Sequence, residues 1–221
     1  NGKNHRLPIF LDKDILYLAG IVAGDGDLIK NKSNSYSIRL SNSNKKMHAI
    51  FRSILKEKFE LKYDITEGNE KRPEATRAHS RLLGELLIAL GIPPSPKSNK
   101  ISFSEILLHL NNELISEYIA GLYDTDGSVY LREKKGSSCI DLTTCSENLA
   151  RQLQLVFLRF GIHARLRVRE PTIGLINGKY NKWILEIRGY DQFRKFSENI
   201  KLRHPEKNRK LKELCSRDKT P

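Results

Sequence analysis

Two stretches decide how this chain folds. Tyr17-Leu18-Ala19-Gly20-Ile21-Val22-Ala23-Gly24-Asp25-Gly26 returns as Tyr118-Ile119-Ala120-Gly121-Leu122-Tyr123-Asp124-Thr125-Asp126-Gly127, at an offset of 101 residues. Tyr, Ala, Gly, Asp and Gly recur at matching positions, so the chain is read as an internal duplication before anything else is asked of it. In each copy small residues fall four apart: Gly20 and Gly24, Ala19 and Ala23, then Gly121 and Thr125. On a helix that spacing makes a smooth stripe that a second backbone can approach closely. Leu18, Ile21 and Val22, or Ile119, Leu122 and Tyr123, point into the core of their own half. The closing Asp-Gly fits a helix end, with the glycine expected to make the turn out of the helix. Two such helices paired about a pseudo-two-fold axis bring Asp25 and Asp126 together at the end of their interface.

The segments after the two copies also run parallel. After the first come short strands at Asp27–Lys30 and Tyr36–Leu40 and an amphipathic helix over Asn44–Phe59, with Met47, Ile50, Phe51, Ile54 and Leu55 at helical spacing. After the second come Ser128–Arg132, Cys139–Thr144 and a helix from Ser146 to a Gly161 cap. Two more strands and a helix complete each half: Leu61–Thr66, Glu74–His79 and Ser80–Leu90 in the first, and Ile162–Arg169, Tyr180–Arg188 and Asp191–Ile200 in the second. A Gly-containing loop, Thr172–Lys179, is extra to the second half. The expected fold class is α+β, two pseudo-symmetric α-β-β-α-β-β-α halves over residues 1–91 and 113–221. A connection over 92–112 carries Pro93, Pro94 and Pro96 and a short helix near Ser104–Leu110.

The 221 residues carry 39 Lys+Arg against 26 Asp+Glu, a net charge of +13. At 38% hydrophobic there is enough apolar surface for a core, and no run reaches the roughly 18 unbroken apolar residues of a membrane span. A disordered tail and a membrane protein are set aside, and a soluble intracellular protein is expected. Cys139, Cys145 and Cys215 match no zinc spacing and are read as reduced core thiols. So basic a chain implies a polyanion partner, with nucleic acid ahead of an anionic membrane surface.

Two carboxylates brought together at helix C-termini are unfavourable unless a cation compensates them, and a hard divalent metal does so. An EF-hand reading of Asp124-Thr125-Asp126-Gly127 fails for want of the required Gly and Glu spacing, and a P-loop fails for want of Gly-Lys-Ser/Thr. The strands offer a polyanion surface. Arg165, Arg167 and Arg169 alternate with Ala164, Leu166 and Val168. Lys182, Glu186 and Arg188 alternate with Trp183, Leu185 and Ile187, and Ser35, Ser37, Arg39 and Ser41 alternate with Tyr36, Ile38 and Leu40. Such a face can lie in a DNA major groove, where Arg pairs with guanine and short polar side chains reach bases or phosphates, an ordinary solvated sheet face being the alternative. The expected contacts are Lys30, Ser37, Arg39, Ser41, Asn42 and Arg77 in the first half. In the second they are Arg132, Lys134, Asp141, Thr143, Arg165, Arg167, Arg169, Lys182 and Arg188. The run Lys201, Arg203, Lys207, Arg209, Lys210 and Lys212 also suits phosphate contact.

With these residues in view, Leu18–Gly26 and Ile119–Gly127 resemble the paired LAGLIDADG motifs of homing endonucleases found in introns and inteins. Leu90-Gly91-Ile92 through Lys97 and Ile200-Lys201-Leu202 through Lys207 resemble the lysine-bearing blocks of intein-type members. The resemblance implies a single-chain, pseudo-symmetric endonuclease whose two four-stranded antiparallel sheets form a saddle over a long asymmetric double-stranded DNA site. It is expected to act as a monomer, cutting across the minor groove to leave short 3′ overhangs. By resemblance Asp25 and Asp126 are catalytic metal ligands, and Gly24 and Thr125 offer backbone carbonyls to the metal. Mg²⁺ is the expected cofactor, with Mn²⁺ able to substitute and Ca²⁺ binding without supporting cleavage. Lys97 and Lys207 are the basic groups near the scissile phosphates, with Lys100 and Lys210 as alternatives. Asn42 and Thr144 occupy positions where the family often places a water-orienting Gln. Ala23 departs from the ideal motif by replacing its middle acid. The ends of the chain carry no splicing residues, so an excised endonuclease domain or an intron-encoded protein is expected rather than a complete intein. Competing readings are an intron RNA maturase using the same basic sheets and a DNA-binding regulator that has lost the chemistry.

Overall fold

Helix α1 (Lys13–Ala23) begins where the Asp12 side chain accepts the Ile15 amide at 3.0 Å, and every residue from Ile15 to Ala23 is buried. A helix apolar all round belongs inside a protein, not on its surface. Its counterpart α5 (Asn112–Thr125) is capped by Asn111 and buried from Ile115 to Asp124, save for Glu117. The two pack backbone to backbone. A Cβ on Gly20 would fall 2.1 Å from the Tyr118 carbonyl oxygen, and one on Gly121 would fall 2.2 Å from that of Tyr17. The computed structural model describes residues 10–132, 138–171 and 180–217; Lys134 and the expected Thr172–Lys179 loop lie outside them.

Around this pair stand two antiparallel sheets. The first holds β1 (Gly26–Lys30), β2 (Tyr36–Ser41), β3 (Tyr63–Thr66) and β4 (Ala75–His79) in the order β1-β2-β4-β3. The second holds β5 (Gly127–Tyr130), β6 (Cys139–Thr144), β7 (Ala164–Arg169) and β8 (Lys182–Ile187) in the order β5-β6-β8-β7. The same spatial order in both halves makes the duplication three-dimensional. Inward residues such as Leu28, Ile38 and Leu40 meet α2 (Lys45–Phe59) and α3 (Arg81–Ala89). Ile140, Leu142, Leu185 and Ile187 face α6 (Glu147–Leu158) and share the core with Phe193 and Phe196 of α7 (Tyr190–Asn199). One continuous core runs through both halves. The fold class is the expected mixed α and β arrangement, and no helix among the described residues is long and apolar enough to cross a membrane.

The connection between halves joins that core. It carries α4 (Glu105–His109), buries Ile92, Ile101, Phe103 and Leu107, and is held to the second half by Ser146 Oγ donating to the Ile101 carbonyl at 2.5 Å.

Two expectations need correction. Gly26 and Gly127 do not take the left-handed backbone of a turn; Gly91, Gly161 and Gly189 do. They are glycines because a Cβ on Gly26 would sit 2.5 Å from the Val22 Cα and one on Gly127 would sit 2.8 Å from the Tyr123 Cα, where each strand leaves its helix. Of the three free thiols only Cys139 is buried, Cys145 and Cys215 being partly exposed. A final helix, α8 (Pro205–Ser216), went unread because only Leu211 and Leu214 of its twelve residues are buried, too faint an apolar stripe to show a period.

Candidate active site

The two motif helices end side by side. Asp25 and Asp126 come near enough for the charge of Asp25 to bear on the Asp126 carboxyl, and Gly24 lies where a Cβ would strike Thr125 Oγ1 at 2.0 Å. Asp126 stays solvent-accessible on one side, yet the cleft strips enough water from its carboxyl to push it up to about 6, and the neighbouring Asp25 adds to the shift. This is the meeting of acids that the repeat implied.

Beneath the acids sit Lys97 and Lys207. Lys97 Nζ donates to the carbonyls of Val22 (2.7 Å), Ala23 and Gly24 (2.5 Å), and Lys207 Nζ donates to those of Tyr123 (3.0 Å), Asp124 (2.9 Å) and Thr125 (2.9 Å). Each ammonium therefore caps the negative end of one motif helix, satisfying carbonyls that no further turn would reach. Burial pushes Lys97 down to about 8 and lowers Lys207 as well, against the opposing pull of the nearby acids. The alternatives are placed differently: Lys100 is exposed and Lys210 pairs with Glu206 at 2.7 Å on the surface of α8.

The halves differ around the acids. Asn42 Nδ2 donates to Asp25 Oδ2 at 2.6 Å while its Oδ1 accepts the Asn44 amide at 2.7 Å, and buried His48 bridges the Asn42 carbonyl and Thr76 Oγ1, each at 2.9 Å. The matching Thr144 hydroxyl accepts the Ser146 amide at 3.1 Å. In the second half Asp124, which replaces Ala23, is buried and accepts from Tyr17 Oη (2.5 Å) and from the amides of Arg203 (2.7 Å) and His204 (3.1 Å). It locks the segment that leads to Lys207 onto the motif helix. Asp124 was set aside with the failed EF-hand reading. Its signal was an acid within an otherwise apolar, buried helix, which demands partners.

The polar strand residues lie on the sheet faces turned away from the core. In the first half a cross-strand row reads Asp27, Arg39, Arg77, Asp64, with Arg39 Nε donating to Asp27 at 3.1 Å. The matching row of the second half reads Ser128, Asp141, Glu186, Arg165. Where one half places two bases at its centre, the other places two acids. Lys30, Arg77, Thr143, Arg165, Arg167 and Arg169 are exposed, while Arg39, Ser41, Asn42, Asp141 and Lys182 are half-buried. Arg132 is exposed with its guanidinium 5.8 Å from the Tyr130 ring centroid, and Arg188 is exposed and bound to Glu186. Ser37, at 5% exposure, presents almost nothing to a ligand.

The basic run near the end of the chain does not form a free phosphate-binding face. Arg203 stacks 3.9 Å over the Tyr17 ring and pairs with Asp14 and Glu117, Lys207 caps α5, Lys201 donates to the Ser197 carbonyl, and Arg209 and Lys210 pair with acids of their own helix. Arg203 and Lys207 hold the fold together, while the surface pairs of Arg209 and Lys210 contribute little to it.

A model of the LAGLIDADG-like domain matches residues 12–100 and again residues 113–201, covering both halves. This chain belongs to the LAGLIDADG-like domain family. Among solved structures, I-DmoI in complex with DNA and Mn is similar, with a TM-score of 0.62 at 16% identity over 86% of this chain and 97% of that one. The fold is thus the LAGLIDADG homing-endonuclease fold. Two curated relatives are the ATP-dependent DNA helicase Hel308 of Methanocaldococcus jannaschii, 33% identical over 93% of this chain, and elongation factor 2 of Methanopyrus kandleri, 26% identical over 93% of it. The LAGLIDADG chain spans only 17% and 14% of the length of those two proteins.

Proposed function

We propose that this chain is a site-specific double-strand DNA endonuclease that hydrolyses one phosphodiester bond in each strand at the Asp25/Asp126 centre. The carrying observation is that the duplication brings two carboxylates together at the ends of paired helices, between two sheets whose outward faces hold exposed arginines.

The donor set suits a hard divalent ion. Two carboxylates and the Gly24 and Thr125 carbonyls are all oxygen, and a carbonyl that accepts from lysine keeps a second lone pair. Among the described residues no group of three or more His, Cys, Asp or Glu side chains converges, so the remaining ligands would be waters and phosphate oxygens, as Mg²⁺ prefers. Bound there, Mg²⁺ would activate a water and neutralise charge on the phosphate. Asn42 holds the Asp25 carboxylate in one pose, and the lysine caps fix the two helix ends that set the distance between the acids. The buried ammonium groups also put positive charge beneath the phosphates, where it offsets the developing negative charge. Mn²⁺ substitutes and Ca²⁺ binds without supporting cleavage; the cut falls across the minor groove and leaves short 3′ overhangs; and the single chain, already two-fold within itself, acts as a monomer.

The curated relatives favour an inserted element of the intein type. A DNA helicase and an elongation factor are different kinds of protein, and a segment matched in both that makes up only a small part of each reads as an insertion.

The test is cleavage of a random duplex library with Mg²⁺ or Ca²⁺ by the wild type, Asp25→Asn and Asp126→Asn. Specific double-strand cuts that require Mg²⁺ and vanish in both variants, while binding survives, are expected. Tight, salt-sensitive binding with no cut in any duplex overturns the nuclease and turns attention to structured intron RNA.

A further inference from the structure

Glu186 is an anomaly on a nucleic-acid face. It lies on the outward side of β8, is 4% exposed, and stands directly across from Asp141 in β6. Two like charges in register repel, and a carboxylate facing DNA repels phosphate. What compensates it is specific. Glu186 Oε1 accepts from Arg167 Nη2 at 2.8 Å and from Arg188 Nη2 at 3.0 Å, and Oε2 accepts from Arg188 Nε at 2.9 Å. Arg167 reaches it diagonally from β7, its own cross-strand partner being Ile184. These groups floor an open concavity of about 380 Å³, the arginine side chains still 47% and 44% exposed at its rim.

An exposed arginine on a strand has a flexible stem, and a guanidinium that reads a base must first be brought to rest. Here the resting is done before any ligand arrives. A carboxylate takes a guanidinium along one edge, in plane, and so dictates the direction of the others.

We propose that Glu186 is a positioning residue for base recognition: buried under the outer face of the second sheet, it clamps Arg167 and Arg188 so that this half reads guanine in the major groove. The inference rests on the proposed DNA reading and adds to it the residue that sets specificity in one half and the base it selects. It also uses the inversion between halves. Arg39 and Arg77 stand where Asp141 and Glu186 stand in the second sheet, so the same row cannot recognise the same bases twice, and the target is asymmetric at those positions.

The experiment is selection of bound duplexes from a random pool by the wild type, Glu186→Gln and Arg167→Lys, in Ca²⁺, with thermal melting of each protein. Glu186→Gln keeps the shape of the side chain and relieves its repulsion with Asp141, so folding is retained. Both variants are expected to lose about tenfold or more of the guanine preference at the same positions in one half-site, the loss typical of a bidentate contact. The other half-site and the salt dependence of binding stay as in the wild type, because phosphate contacts are untouched. A Glu186→Gln selection identical to the wild type overturns the inference alone, as does an Arg167→Lys protein that keeps its guanines. A wild type that selects no sequence overturns the DNA reading and this inference with it.

Discussion

The side-chain amide of Asn42 donates to Asp25 Oδ2 at 2.6 Å, while its pseudo-symmetric partner Thr144 turns its hydroxyl to the Ser146 amide. Outer residues that orient a metal-binding carboxylate typically matter by about 10- to 100-fold in affinity or activity. Asn42→Ala should therefore slow Mg²⁺-dependent cleavage by that order, with Thr144→Ala affecting it far less. Single-turnover cleavage of one target duplex measures both. Equal losses would mean that Asn42 does not support Asp25 in any special way.

Gly20 tests the helix pairing without touching the acids. A Cβ there meets a backbone oxygen, which cannot swing aside as a side chain would. Gly20→Ala should push α1 and α5 apart and destabilise the protein by about 1–3 kcal/mol, the usual range for overpacking. Gly189→Ala is the informative companion, since a Cβ there has nothing within 4 Å and only its positive φ opposes the change. Urea midpoints that shift less for Gly20→Ala than for Gly189→Ala would contradict the close approach.

The duplication explains why so much was readable. Each element in one half had a second copy to check it, and the small residues four apart named the helix interface in advance. The meeting of Asp25 with Asp126 came from symmetry. The features that stayed hidden lay where the halves differ. Asp124 replaces Ala23 and finds Tyr17 from the other motif, 107 residues away in sequence, a contact that no local pattern announces. Glu186 looked like one more polar residue in an alternating strand because its partners arrive from β7 and from the end of its own strand. The lysine caps were legible as a matched pair but not as caps, since a role beside phosphate and a role on a helix end call for the same cation. Helix α8 buries too little to be seen at all.

Asp126 makes stability depend on pH. Its folded carboxyl titrates near 6 against an ordinary 3.8, so between those values the folded protein holds the proton more tightly than the unfolded chain. Stability from this group is complete below about pH 4 and is lost as pH rises through 6. In Asp126→Asn that dependence disappears. Melting temperatures from pH 4 to 7, without DNA and with EDTA, should show the wild type falling relative to the variant up to about pH 6.5 and running parallel above it. A constant difference across the range would mean that Asp126 is not perturbed.

Lys97 and Lys207 separate structural from merely basic charge. Each satisfies three helix-terminal carbonyls from a half-buried position, whereas Lys100 is exposed and Lys210 makes a surface pair within α8. Removing a buried donor leaves its acceptors unsatisfied, at a cost of about 1–3 kcal/mol, and surface charges matter by less than about 0.5 kcal/mol. Lys97→Met and Lys207→Met should therefore lower the urea midpoint clearly in the absence of DNA and metal, while Lys100→Met and Lys210→Met leave it in place. If all four variants unfold at the wild-type midpoint, the ammonium groups do not cap the motif helices in solution. A role confined to the scissile phosphates would then be the better account of why both halves carry a lysine at this position.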